Sequence, residues 1–129
     1  MKPDVNKEFD AAFEALKGVF APELKRLAVT KDSATEYTLN TLASSPFPQH
    51  KGAPMFFGTV RKGKAYVSFH LFPLYMNAPL TATISPELKK RMQGKTCFNF
   101  KTAPDAALLK ELKALTKAGM KNFKERNWA

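Results

Sequence analysis

One cysteine in 129 residues leaves nothing with which to form an internal disulfide, and Cys97 fits a reducing compartment. No apolar run approaches the roughly 20 residues that span a bilayer. No short apolar segment follows the basic start, so the sequence predicts no secretory signal and a cytoplasmic protein. Only two histidines occur, His50 and His70, and neither shares a metal-ligand spacing with Cys97. There is no Gly-rich phosphate loop, no Ser-His-Asp arrangement and no nameable pair of acid–base carboxylates. Paired zinc ligands and the aromatic signature of an RNA-recognition sheet are missing too. These absences point away from an enzyme, from a bound metal or cofactor and from sequence-specific nucleic-acid reading.

What remains is an ordinary globular composition, 44% hydrophobic and 25% charged, in a length that suits one domain over residues 1–129. Charge is uneven. The formal net charge is +10, yet residues 1–50 carry a net −1 and residues 51–129 a net +11. An excess of this size attracts anionic partners at long range, and it also favours solubility.

Phe9, Phe13, Leu16 and Phe20 recur at helical spacing and predict a helix from about Asp4 to Phe20. Pro22 can open a further turn, giving one bent element over residues 4–28. Thr-rich residues 36–42 read as a strand, and residues 43–54 as a Pro-rich loop. Met55 to Arg61 and Lys64 to Phe72 read as a hairpin turning at Lys62-Gly63. That register pairs Val60 with Ala65, Gly58 with Val67 and Phe56 with Phe69 on an apolar face. The opposite face receives Thr59 with Tyr66, Phe57 with Ser68, and Met55 with His70. Ser85-Pro86-Glu87 is a helix start, with Gly94 as the stop. Lys95 to Lys101 is a further strand, and Thr102-Ala103-Pro104-Asp105 opens a last helix running to about Arg126. The expected fold is α+β, a mainly antiparallel sheet with helices packed on one face.

Two surfaces stand out. Lys110, Lys113, Lys117, Lys121 and Lys124 fall within an arc of about 80° on the last helix, while Leu108, Leu112, Leu115, Gly119 and Phe123 turn to the core. The row contains no acid, and its four neighbouring like-charge pairs cost about 0.2–0.5 kcal/mol each at low salt. Mixed signs would serve solubility without that penalty; an unmixed row suits an anionic partner. A merely solvated lysine face is the plain alternative. Lys89, Lys90, Arg91 and Lys95, and Arg61, Lys62 and Lys64, form two smaller basic groups.

The second surface is the polar side of the sheet. Asn40, Tyr66, Ser68, His70 and Asn99 are its candidate ligand-binding residues, with Thr38 and Thr59 beside them and Met55, Phe57 and Phe72 adding apolar surface. A small molecule, a second copy of the chain or bare solvent would each suit such a face. The partners expected are therefore a small molecule or an acidic macromolecule, with weak non-specific nucleic-acid contact and a homodimer also compatible.

Four segments carry a family resemblance: Tyr66-Val67-Ser68-Phe69-His70-Leu71; Ile84-Ser85-Pro86-Glu87-Leu88; Met92 to Lys101; and Leu108 to Phe123. They resemble the YdhG-like superfamily of small bacterial α+β proteins. The resemblance implies the fold and a binding or interaction role of unknown ligand. It transfers no catalytic residue. Some members are described as frataxin-like iron chaperones, so iron delivery is the alternative it implies. Iron favours hard oxygen ligands, and the first helix offers Asp4, Glu8, Asp10 and Glu14. Lys7 and Lys17 lie among them, and a strongly basic chain is a poor setting for iron.

Overall fold

A computed structural model describes residues 5–44 and 47–128; Asp4 and Pro46 lie outside the described residues. The order is α1 (Val5–Val19), a 3-10 turn (Ala21–Arg26), β1 (Leu27–Asp32), β2 (Glu36–Ser44), a 3-10 turn (Pro48–His50), β3 (Pro54–Lys62) and β4 (Val67–Leu71). A third 3-10 turn (Phe72–Met76) follows, then α2 (Ala78–Thr81), α3 (Pro86–Lys89), β5 (Met92–Gln93), β6 (Cys97–Phe100) and α4 (Ala106–Glu125). The six strands form one sheet in the order β1-β2-β3-β4-β6-β5, every pair antiparallel. The chain is α+β, as its pattern of elements predicts.

α1 lies across β3 and β4, and α4 lies against α1 and the Phe72–Met76 turn. One core forms between these helices and one side of the sheet. Its centre is aromatic: the Phe20 ring stacks on Phe69 at 5.0 Å and meets Phe57 edge-on at 6.2 Å, while Phe57 meets Phe123 at 5.7 Å. Edge and offset geometries of this kind suit the ring quadrupoles.

Three expectations need correction. First, Leu27 and Ala28, the expected end of the bent element over residues 4–28, instead open strand β1. Leu27 leaves the 3-10 turn with extended backbone and pairs with Thr41. The ladder with β1 satisfies the outer edge of β2, which a helix continuing past Arg26 would leave unpaired.

Second, the hairpin loop is longer than two residues. Val60 pairs with Phe69, Gly58 with Leu71 and Thr59 with His70, so Gly63–Tyr66 form the loop, closed by Gly63 N–H donating to Tyr66 O at 2.8 Å. The difference from the expected register is even, so Val67, Phe69 and Leu71 stay on the apolar face. A bulge in β3 changes the rest. Leu39 faces Gly58 but Asn40 faces Phe56, leaving Phe57 as an extra residue. Phe57 and Gly58 therefore both face the helices, and Met55 and Phe57 are buried in the core instead of lying on the polar side. Phe56 takes the place on the open side.

Third, the helix opened by Ser85 stops at Lys89. Gly94, at φ 75°, turns β5 back onto β6 rather than ending a helix.

α4 ends in a Schellman motif. Asn127 sits in the left-handed region, its N–H donates to Lys124 O, and Trp128 N–H donates to Phe123 O. The Trp128 ring packs edge-on against Phe123 at 5.3 Å and is only 8% exposed, so it is part of the core.

Candidate functional site

The open face of the sheet carries three separate groups of side-chain hydrogen bonds. Strand alternation puts Thr38 and Asn40 of β2 on this side, Thr59 and Arg61 of β3, Ser68 and His70 of β4, and Cys97 and Asn99 of β6. The Thr38 hydroxyl donates to Glu36 Oε2 at 2.7 Å and lies 2.8 Å from the Thr59 hydroxyl. Since the Thr38 proton is committed to the carboxylate, Thr59 is the donor between the two hydroxyls. The bond from Thr38, then the Arg61 and Lys31 charges, hold the Glu36 carboxyl below its ordinary value.

Farther along, the Ser68 hydroxyl donates to Asn99 Oδ1 at 2.9 Å, and Asn99 Nδ2 donates to Gln93 Oε1 at 2.8 Å. His70 Nε2 lies 2.6 Å from the Thr96 hydroxyl. Burial, and then the Arg61 charge, push the His70 pKa below its ordinary value, so the ring is neutral at pH 7. Burial also pushes the Cys97 thiol up, so it is a weak nucleophile.

Phe56, Thr59, Arg61, Ser68 and His70 enclose an open hollow of about 190 Å³. Ser68, His70 and Asn99 thus come together as expected, and Asn40 lies beside them opposite Phe56 in the ladder. Tyr66 does not join. It belongs to the hairpin loop, four residues from His70, is 43% exposed and sets its ring under Lys101 Nζ at 5.8 Å. Phe56 and Arg61 were missed by sequence reasoning. Only the bulge brings Phe56 to this face, and alternation alone could have placed Arg61 with Thr59.

The lysine row lies on α4 as predicted. Lys110, Lys113, Lys117, Lys121 and Lys124 are all exposed. Among the described residues no carboxylate lies within 4 Å of any of them, whereas Lys17, Lys31, Arg61, Lys62 and Lys90 all take part in ion pairs. Lys117, Lys121 and Lys124 flank an open groove of about 630 Å³ with Ala114, Ala118 and Met120, and Glu23 sits on its far wall. Lys90 and Arg91 border a separate hollow of about 420 Å³ near the N-terminal end of α4, with Asp105 and Glu87. The hairpin group does not extend the row, since Lys62 is bound to Asp10 and Arg61 to Glu36.

Among the described residues no three His, Cys, Asp or Glu side chains group closely enough to hold a metal ion, and no helix is long and apolar enough to cross a membrane. The side chain of His50 lies outside the described residues. No family model, curated protein or solved structure matches the chain.

Proposed function

We propose that this chain is a small YdhG-like binding module, without catalysis of its own, that engages an anionic partner through the lysine face of α4. The observation that carries the reading is alignment. Five exposed lysines share one face of α4 with no carboxylate in ion-pairing distance among the described residues, whereas other cations without an ion pair, such as Lys51, Lys64 and Lys101, are scattered over loops and turns. The row keeps its mutual repulsion in the free protein and loses it when an anion arrives. Lysines act as flexible point charges rather than bidentate forks, which suits an acidic surface more than a specific base edge.

The iron-delivery reading draws no comparable support. In α1, Asp10 is bound to Lys62 and Glu14 to Lys17, so two of its three acids have their charge partly answered.

Retention on heparin tests the proposal. The wild-type protein should elute at a salt concentration well above that of a Lys113→Glu, Lys117→Glu, Lys121→Glu variant. Equal elution, with both proteins folded by circular dichroism, would discard the lysine face.

A further inference from the structure

The hollow on the open sheet face presents a polarity that is independent of the lysine row. Both of its hydroxyl protons are already committed. Thr59 donates to Thr38, which donates to Glu36, and Ser68 donates to Asn99. Toward the hollow, Thr59 and Ser68 therefore offer oxygen lone pairs and no proton. Arg61 supplies the opposite character. Its Nε lies 3.7 Å from Glu36, and its guanidinium carries five N–H donors in all, so donors remain. The hollow thus sets acceptors beside a donor fork.

The apolar part is aromatic. Phe56 stands 6.1 Å from His70 on one side and 6.1 Å from Phe72 on the other, and Phe72 stacks on Tyr75, which is 62% exposed. A strip of four rings thus runs from the hollow to the protein surface. Phe56 also borders a neighbouring hollow of about 240 Å³ with Ala53, Pro54, Met55 and Phe72. The Phe56 ring is tilted against both His70 and Phe72, so a flat ligand can stack on one of them with its neighbours as edges, and aromatic stacking tolerates many ring types.

A simple carboxylate answers only half of this site, because it brings no proton for Thr59 or Ser68. A ring bearing an adjacent N–H and C=O answers both halves. We propose that the hollow formed by Phe56, Thr59, Arg61, Ser68 and His70 binds a small planar ring amide, of the kind found in a pyrimidine nucleobase. Its face stacks on Phe56, its N–H donates to the Thr59 or Ser68 oxygen, and its carbonyl accepts from Arg61. His70 is neutral and closes one wall without adding charge.

Titration of the amide-nitrogen NMR spectrum with three probes tests this. Uracil has the N–H and C=O pair, 1,3-dimethyluracil keeps the ring and carbonyls but has no N–H, and benzoate is a planar anion. Uracil should shift the signals of Phe56, Ser68 and His70 at concentrations up to about 10 mM, a range suited to a fragment-sized ligand. Dimethyluracil should bind at least about tenfold more weakly, the penalty for covering these part-buried acceptors without giving them a proton. Ser68→Ala and Phe56→Leu should each weaken uracil about tenfold or more, with the spectrum of the rest of the sheet unchanged. Equal binding of uracil and dimethyluracil, benzoate binding more tightly than uracil, or no shift with uracil would each overturn the proposal. These outcomes leave the heparin test of α4 untouched.

Discussion

Ser85 and Glu111 clasp each other across 26 positions of sequence: the Glu111 carboxylate accepts from the Ser85 backbone N–H at 2.7 Å and from its hydroxyl at 2.6 Å. The same hydroxyl oxygen accepts from Leu88 N–H at 3.2 Å, so one serine caps α3 and fastens it to α4. Glu111 is one of two acids in α4, the other being Glu125 at its last turn, and this bond gives a carboxylate a structural role in so basic a helix.

Removing the clasp should loosen the packing of α3 on α4. Glu111→Ala leaves a capping serine with a missing partner and should cost about 1–2 kcal/mol. Ser85→Ala loses both the cap and the clasp and should cost at least as much. The double variant should cost little more than Ser85→Ala, since the two residues share one network. Thermal unfolding followed by circular dichroism reads all three. Additive losses would show that the residues act separately.

Glycine positions divide sharply by the space around them. A Cβ at Gly58 would lie 2.6 Å from Phe20 Cζ and 2.8 Å from the His70 carbonyl oxygen. A Cβ at Gly119 would lie 2.7 Å from Pro73 Cβ, where α4 passes the Phe72–Met76 turn. At Gly18, in α1, nothing lies within 4 Å. Gly58→Ala should destabilise by about 1–3 kcal/mol, the usual cost of overpacking. Gly119→Ala should also lose stability, because the clash outweighs a helix-propensity gain of about 1 kcal/mol. Gly18→Ala should instead gain about 0.5–1 kcal/mol. Urea unfolding of the three variants checks the order, and a stable Gly58→Ala protein would refute the close approach of Phe20.

These glycines also show where sequence reasoning stops. Helical spacing revealed the inward stripe of α1 and the two faces of α4, because a 3.6-residue period needs no knowledge of partners. Alternation revealed that Ser68, His70 and Asn99 share a side. The bulge at Phe57 has no local signature: the extra residue exists only relative to β2, so Phe56 and Phe57 exchanged sides unseen. β1 escaped for a similar reason. Of its six residues only Leu27 is buried, so it carries no alternating apolar pattern. Thr59 meets Thr38, and Ser68 meets Asn99, across strands, and so the commitment of the Thr59 and Ser68 protons, on which the character of the hollow depends, could not be read along the chain. Trp128 was legible as a candidate cover for the helix end, but its burial required the Schellman turn that folds it back onto Phe123.

Stability should fall as pH is lowered through the histidine range, with His70 as one source. Its folded pKa lies below the ordinary value of 6.5, through burial first and the Arg61 charge second. In the unfolded chain it takes a proton near that value, while in the folded chain it resists until lower pH. The unfolded state therefore binds more protons in this window, and stability is lost as pH falls from about 7.5 toward the folded pKa. The slope should stay below the single-group limit of about 1.4 kcal/mol per pH unit, because the ring is partly exposed to screening. Glu36, whose pKa is lowered from 4.5, acts in a separate window, its contribution disappearing only as pH falls below that value. His70→Gln, which can keep a bond to Thr96, should flatten the first window and leave the second. Urea midpoints between pH 7.5 and pH 3.5 separate them, and an unchanged slope above pH 5 would exclude His70 as the source.

Stability and binding should move in opposite directions when the lysine row is interrupted. Lys117 has Lys113 four residues before it and Lys121 four residues after it. Lys117→Glu converts two like-charge neighbours into two attractive pairs. Each conversion removes a repulsion and adds an attraction of about 0.2–0.5 kcal/mol, so the variant should be more stable by about 1–2 kcal/mol at low salt. The gain should shrink toward zero in about 1 M salt, where charges are screened beyond about 3 Å. Heparin retention should meanwhile decrease, since the middle of the row now repels an anion. A face maintained only for solvation would give up nothing by accepting the Lys117→Glu change. Thermal unfolding at low and high salt, set beside heparin elution of the same protein, measures both sides. A variant that gains stability and loses retention shows a row held unmixed against its own repulsion for the sake of a partner. One that gains stability with retention unchanged shows lysines that are merely wet.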